Sequence, residues 1–161
     1  MKHDAPNTDV THTDLAHESA GKHVTGRANY TDDIAEPAGT LHAYLGLSDI
    51  AHGEIAALDL GEVLSAAGVV GVLTSQDIPG CNDISPTGLN DEPVLAETKV
   101  EFWGQPVFAV IAETRDQARR AAKKAKITWQ PLPHACDIEA AQKAGYPNVT
   151  APLKLERGSI E

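Results

Sequence analysis

Residues 106–129 read PVFAVIAETRDQARRAAKKAKITW, and the fold prediction begins from this stretch. Pro106–Ala112 is apolar throughout, which predicts a strand that is buried on both faces. Thr114 and Gln117 form a capping box, and the alanines that follow at i, i+3, i+4 and i+7 make one small apolar stripe. A helix is therefore predicted over Arg115–Lys126, close against a sheet, and Ile127–Gln130 predicts the next strand.

Weaker patterns on either side predict the remaining elements. Alternating or β-branched segments predict strands at 41–47, 54–59, 69–74 and 94–100, and capping signals predict helices at 60–67 and from Asp137 to Gly145. The order β-β-α-β-loop-β-β-α-β-α mixes adjacent strands with β-α-β crossovers. It is typical of an α+β domain with a mixed β-sheet and two main helices packed on one face. The loop 75–93 is long for a segment without its own structure, so we expect it to be functional or to hold an interface.

Composition excludes several classes of protein. The 161 residues include 23 acidic and 13 basic side chains, for a net charge of −10. A general nucleic-acid binder normally shows the opposite balance, and an anionic membrane surface is an equally poor partner. The longest purely apolar run, Val107–Ala112, is far shorter than the roughly 20 residues that a membrane helix needs. The polar start, residues 1–20, has no signal-like apolar region and is predicted to be a tail, so we expect a cytoplasmic protein.

Cys81 and Cys136 are 55 residues apart, and no CxxC pair occurs. The ligand count excludes a zinc ribbon or an iron–sulfur cluster within this chain. We expect both cysteines to be reduced thiols.

Several polar groups could carry chemistry, but a simpler interpretation is favoured for each. The adjacent carboxylates Asp32–Asp33 and Asp91–Glu92 would need to face one another across a shielded cleft, whereas sequence neighbours usually point apart. The helix at 115–126 carries a charge of +5, which favours a solvated face over a docking site for an acidic protein. Four histidines in the tail favour a solvated segment over a metal site: His3, His12, His17 and His23.

No nucleophile elbow, phosphate-binding loop or dinucleotide fingerprint occurs in the sequence. Cys81 lacks a basic neighbour that would activate its thiol. Gln105 could bind a ligand, but a role in satisfying the backbone is favoured. The residues alone thus predict an α+β domain without a self-contained active site.

Several segments, taken in order, resemble one family. Gly21–Ile34, Pro79–Pro86, Asp91–Ala96 and Phe102–Ala112 look like the opening of the molybdopterin-binding large subunit of bacterial xanthine dehydrogenases, in the xanthine dehydrogenase/aldehyde oxidase family. The resemblance covers about residues 20–145 and implies the α/β-hammerhead domain over 21–145. The segments in the long loop favour the xanthine dehydrogenase branch.

The resemblance implies a part of an oxidoreductase that hydroxylates purines. In such enzymes a molybdenum–molybdopterin cofactor serves the reaction, and electrons pass through [2Fe–2S] clusters and FAD to NAD. No catalytic, cofactor-binding or metal-binding residue of the family can be carried over to this chain. The matched positions are structural signatures, expected in turns, caps and domain contacts: Gly26, Tyr30, Asp33, Gly104, Gln105 and Pro106.

The resemblance also implies partners. We expect residues 146–161 to begin a linker to a C-terminal molybdopterin-binding region, and the domain to contact that region and the FAD/iron–sulfur subunit. The chain itself is expected to be an inactive scaffold. The alternative is a stand-alone interaction module that docks an acidic partner through the basic helix 115–126.

Overall fold

The computed structural model describes residues 16–148, 150 and 152–158. The chain divides into two compact units, Met1–Ala38 and Gly39–Glu161. In the first unit, α1 (Ala20–Val24) is followed by a short 3-10 helix at Thr31–Asp33. Most of the predicted tail, residues 1–15, lies outside the described residues.

The second unit contains six strands and three α-helices among its described residues. The strands are β1 (His42–Leu47), β2 (Gly53–Asp59), β3 (Val69–Leu73), β4 (Lys99–Val100), β5 (Pro106–Ala112) and β6 (Lys126–Pro131). The helices are α2 (Gly61–Leu64), α3 (Arg115–Ala122) and α4 (Ile138–Ala144), and a 3-10 helix lies at Ser75–Asp77. This element content confirms the predicted α+β class.

The strands form two three-stranded sheets. The first sheet has the order β1-β5-β3 and the second has the order β4-β2-β6. Every pairing is antiparallel. The strand with the longest apolar run, β5, is the centre of the first sheet.

The predicted single mixed sheet is therefore wrong in its arrangement. A β-α-β crossover through α3 would place β6 beside β5, but β1 and β3 already occupy both sides of β5. β6 pairs with β2 instead, in register from Gly53 opposite Pro131 to Asp59 opposite Lys126. α3 thus connects the two sheets rather than two parallel neighbours in one sheet.

The core lies between the first sheet and its helices. Side chains of β5 cluster with the alanine stripe of α3 and with Val63 of α2; the buried members include Phe108, Val110, Ala112, Ala118, Ala121 and Ala122. The Phe108 ring packs against the β1 backbone at Gly46, where an added Cβ would come within 2.1 Å of it. A glycine is required there because any side chain would collide with a fully buried ring.

Most helix boundaries follow the predicted caps. Thr114 Oγ1 accepts a hydrogen bond from the Gln117 amide at 3.2 Å, and Asp137 Oδ1 accepts one from the Ala140 amide at 2.7 Å. α3 ends at Ala122, four residues before the predicted end, because β6 already begins at Lys126.

Two other boundaries also shift. Asp59 accepts a hydrogen bond from the Gly61 amide, but it lies one residue before the N-cap of α2. The predicted strand over 94–100 is reduced to β4 at Lys99–Val100.

Candidate functional site

A tight turn at 101–105 is held by a buried serine that precedes it by more than fifty residues. Ser48 is 3 % exposed, and its Oγ donates to the Phe102 carbonyl at 3.0 Å. The same oxygen accepts hydrogen bonds from the Gly104 and Gln105 amides at 3.1 and 3.2 Å. Gly104 has φ +85°, a conformation that a residue with a Cβ adopts only under strain. The turn is therefore fixed to the end of β1.

Gln105 lies inside this turn. It is 2 % exposed, and its Oε1 accepts a hydrogen bond from the Glu101 amide at 2.7 Å. Its carbonyl accepts from the Ser48 amide at 2.9 Å. Pro106 follows as the first residue of β5, and its carbonyl accepts from the Ala96 amide at 2.7 Å. These contacts use Gln105 and Pro106 to join neighbouring backbone segments.

The long loop is closed by hydrogen bonds between two of its own segments. The Asn82 side chain donates to the Leu95 carbonyl at 2.8 Å and accepts from the Leu95 amide at 3.1 Å. The Ile84 amide donates to the Glu92 carbonyl at 2.9 Å, and Asp83 accepts from the Glu92 amide at 3.2 Å. We call this set the loop clasp. It joins the segments 79–86 and 91–96, so the loop is ordered by its own polar groups.

The other predicted signature residues lie in the first unit. Gly26 has φ +67° and lies just after α1. The Asp33 carboxylate accepts a hydrogen bond from the Tyr30 amide at 3.0 Å, and the Tyr30 hydroxyl lies 3.0 Å from Nδ1 of His23. Gly26 thus occupies a turn, and Tyr30 and Asp33 frame the 3-10 helix.

The structure does not gather the candidate chemical groups into one centre. His17 and His23 lie in the first unit with ring centroids 6.2 Å apart, whereas His3 and His12 are outside the described residues. Cys81 and Cys136 are both exposed and unpaired with each other. Across residues 16–148, 150 and 152–158, no three His, Cys, Asp or Glu side chains are grouped to hold a metal ion. In the same part of the chain, no helix is long and apolar enough to span a membrane.

The positive charge of α3 and its C-terminal turn is partly neutralised by neighbours. Asp116 forms ion pairs with Arg119 at 2.8 Å and Arg120 at 2.7 Å, which lowers its pKa through the Arg119 hydrogen bond first. Glu62 pairs with Lys126 at 2.5 Å, and this hydrogen bond raises the Lys126 pKa. Three of the six basic side chains between positions 115 and 126 are thus paired.

An open groove of about 680 Å³ lies between the edge strands β1 and β6. Its apolar lining includes Tyr44, Leu47 and Trp129, and Lys123 and Asp49 contribute charges. None of the side chains that line it is a serine, histidine or cysteine. The groove can hold an apolar chain segment, and its titratable lining residues are Tyr44, Asp49, Lys123 and Lys126.

Sequence reasoning missed two residues that organise these features, Ser48 and Asn82. The signal for Ser48 is a small polar residue directly after an alternating strand, a position that favours capping of nearby backbone. The signal for Asn82 is its place in a loop rich in Pro, Gly and Asp, where Asn side chains commonly mimic backbone groups. Their partners lie far along the chain, so neither pairing is readable from sequence.

A family model described as "Aldehyde oxidase and xanthine dehydrogenase, a/b hammerhead domain" matches residues 25–133. The chain belongs to this family. The match covers both the loop clasp and the turn at 101–105, and it confirms the hammerhead fold that the sequence resembles.

Members of both branches of the family are similar to this chain. Xanthine dehydrogenase from Oryza sativa subsp. japonica is 42 % identical over 147 residues, which cover 91 % of this chain and 11 % of that protein. Aldehyde oxidase 2 from Mus musculus is 42 % identical over 158 residues, covering 97 % and 11 %. The hammerhead chain therefore spans about a tenth of the length of these relatives.

Solved structures of the family share the fold. The aldehyde oxidoreductase from Desulfovibrio desulfuricans aligns with a TM-score of 0.67 at 31 % identity, covering 83 % of this chain and 16 % of that one. The chain thus has the fold of one domain within a larger molybdenum hydroxylase. The comparisons do not support the alternative of a stand-alone module that docks through its basic helix.

Proposed function

We propose that this hammerhead domain is a scaffold within a xanthine dehydrogenase-type enzyme and takes no direct part in catalysis. The observation that carries the proposal is how the signature residues are used. Gln105 is buried, and its side-chain oxygen is taken up by the Glu101 amide. Ser48 and Asn82 likewise bind backbone groups. Polar side chains that hydrogen-bond to the backbone of nearby turns support a structural role rather than contact with a substrate.

The described residues do not fit the cofactors of the whole enzyme. Two [2Fe–2S] clusters need more cysteine ligands than the two that the sequence contains. In the described part of the chain, no three His, Cys, Asp or Glu side chains are grouped to hold a metal ion, and the sequence contains no phosphate-binding loop motif. We therefore assign molybdopterin, the clusters, FAD and NAD to other regions or subunits of the parent enzyme.

For the parent enzyme we propose purine hydroxylation in the cytoplasm, with electrons passed through [2Fe–2S] and FAD to NAD. The segments 82–86 and 91–96, which resemble the xanthine dehydrogenase branch, support this choice. These segments form the loop clasp, so their sequence is tied to a defined local structure. The partners would be the C-terminal molybdopterin region of the same subunit and the FAD/iron–sulfur subunit.

The test is purification of the native gene product through an affinity tag, followed by metal analysis and two assays. We expect stoichiometric molybdenum and reduction of NAD with xanthine in preference to an aldehyde. Preference for the aldehyde would move the protein to the other branch of the family. The isolated 161-residue chain is the matched control and should be folded, free of molybdenum and inactive; stoichiometric molybdenum bound to it would refute the scaffold role.

A further inference from the structure

The face of the first sheet that points away from α3 is composed entirely of uncharged, apolar residues. Strand alternation places Val107 of β5 on this face, where it is 1 % exposed, and the pairing register adds six further residues. They are Ala43 and Leu45 of β1, Ala109 and Ile111 of β5, and Gly71 and Leu73 of β3. We call these six residues the outer face of the first sheet.

The helices cover only the opposite face. Tyr44 and Val72 flank Val110 in the register and pack with it in the core that contains the α3 alanines. Of the outer-face residues, Leu45 is 45 % exposed and Leu73 is 44 % exposed. Ala109 is nearly buried, since it lies between these two leucines. Leu45 and Leu73 thus remain nearly half exposed on a sheet whose other face packs into the core.

Bulky and small residues alternate across the outer face in two adjacent rows. In one row Ala109 lies between Leu45 and Leu73, and in the next row Ile111 lies between Ala43 and Gly71. Each bulky side chain therefore has small neighbours across the strands. Layers in protein interiors interlock through such alternation of large and small residues. The outer face therefore has the apolar composition and the large–small alternation of a layer inside a protein.

The second sheet offers a contrast within the same unit. On its exposed side, Glu54 pairs with Gln130, and Ala57 pairs with Thr128. Three of these four residues are polar, and such residues suit contact with water. The apolar outer face of the first sheet is therefore not a general property of this unit.

We propose that another region of the same polypeptide packs its own aliphatic layer against the outer face of the first sheet. This inference rests on the proposed function, because it takes the chain to be one domain of a longer enzyme. The relatives are about nine times longer than the matched region, so a chain of that length has enough further residues to supply the partner layer. A second copy of this chain is a poorer occupant, since each copy carries a net charge of −10 and the copies repel one another. Interfaces between permanently joined parts are also the most apolar ones.

The test is the rate of thiol labelling in the full-length gene product. Single variants Leu45→Cys and Leu73→Cys place a thiol on the outer face, and Thr128→Cys places the matched thiol on the exposed side of the second sheet. Each product is treated with a maleimide reagent, and peptide mass mapping separates the new thiols from Cys81 and Cys136. We expect both outer-face thiols to label at least about tenfold more slowly than the thiol at position 128, because labelling must wait for the interface to open.

Three results would overturn the proposal. Labelling of positions 45 and 73 as fast as in a denatured sample of the same variants means that the outer face is open. Protection that is lost on dilution assigns the cover to a second copy. Protection that is lost when a separate subunit is removed assigns it to that subunit. Molybdenum and activity are measured on the same samples, so protection without molybdenum keeps this inference and rejects the proposed function.

Discussion

In the second sheet, β6 alternates exposed Lys126, Thr128 and Gln130 with half-buried Ile127 and Trp129, whereas in the first sheet β5 is apolar at every position. Both strands belong to three-stranded antiparallel sheets, and α3 connects them. β6 is an edge strand with one face toward the core and one toward water. β5 is a central strand with helices on one face and an apolar second face.

This difference shows what each sheet is built to contact. Alternation in β6 fits a sheet that meets solvent on one side, and continuous apolarity in β5 fits a sheet that is covered on both sides. The described chain buries the α3 side of β5 and, on the other side, Val107 and Ala109. The other side carries two leucines that are nearly half exposed, Leu45 and Leu73. The exposed side of the second sheet is therefore suited to solvent, whereas the outer face of the first sheet is suited to contact with another apolar layer.

Replacing Phe108 tests the covered face of the first sheet and should have the largest effect. Phe108→Ala removes a fully buried ring that lies on Gly46, and we expect a loss of about 4 kcal/mol in the free energy of unfolding. Urea denaturation of the 161-residue chain measures it. Leu73→Ala on the outer face is the control and should cost about 1 kcal/mol or less, because that side chain keeps much of its contact with water. Equal losses would erase the distinction between the two faces.

Ser48→Ala tests the hydrogen bonds that join the end of β1 to the turn before β5 in the first sheet. The change removes an acceptor for the Gly104 and Gln105 amides and a donor to the Phe102 carbonyl. We expect a loss of about 1 kcal/mol, since these partly buried backbone groups each lose one hydrogen bond while the Gly104 and Gln105 amides keep bonds to the Ser48 and Phe102 carbonyls. The exposed Ser65→Ala is a matched control and should lie within about 0.5 kcal/mol of wild type. A neutral Ser48→Ala variant would show that the turn is held by other contacts.

Thr114→Ala weakens the helix that covers the inner face. Thr114 accepts the Gln117 amide at the start of α3, and loss of such a cap costs about 1 kcal/mol. Thr128→Ala, on the solvent side of the second sheet, changes the same residue type without a cap and should change stability by less than about 0.5 kcal/mol. Thermal unfolding of both variants gives the comparison. A larger loss at position 128 would mean that the second sheet depends on its exposed side.

The smallest expected effect is a pH dependence at the end of β3. Hydrogen bonds from the Thr74 backbone amide and hydroxyl lower the pKa of Asp77 below its ordinary value. The folded state therefore gains stability from the carboxylate above the unfolded pKa, and this gain disappears as the pH falls through the lower folded pKa. The stability difference between wild type and Asp77→Asn should shrink in acid. A difference that stays constant from neutral pH to below about pH 3 would rule out this contribution.

Local signals were sufficient for much of the fold. The apolar run at 106–112 predicted the central strand, and the capping residues Thr114 and Asp137 predicted the starts of α3 and α4. Strand pairing was not predictable in the same way, because the partner of β6 depends on which sides of β5 are already occupied. A β-α-β pattern in sequence is compatible with either one sheet or two.

The residues of the candidate site also divide into those with local sequence signals and those whose partners lie far along the chain. Gly104, Gln105 and Pro106 were singled out from sequence because they form one short motif, and their role as family-signature positions stays a prediction. Ser48 and Asn82 were missed because their hydrogen-bond partners come from distant loops. The predicted two-sided burial of β5 is confirmed for most of the strand, since Val107, Ala109 and Ile111 on the side away from α3 are buried or half-buried. The outer face leaves exposed area mainly at the flanking leucines, Leu45 and Leu73.

The most direct test of this account is a structure of the full-length gene product by electron cryo-microscopy. The account predicts that Leu45 and Leu73 are buried against an aliphatic layer from another region of the same polypeptide, while Thr128 and Gln130 remain exposed. A full-length structure in which Leu45 and Leu73 face solvent, or contact only charged groups, would contradict it.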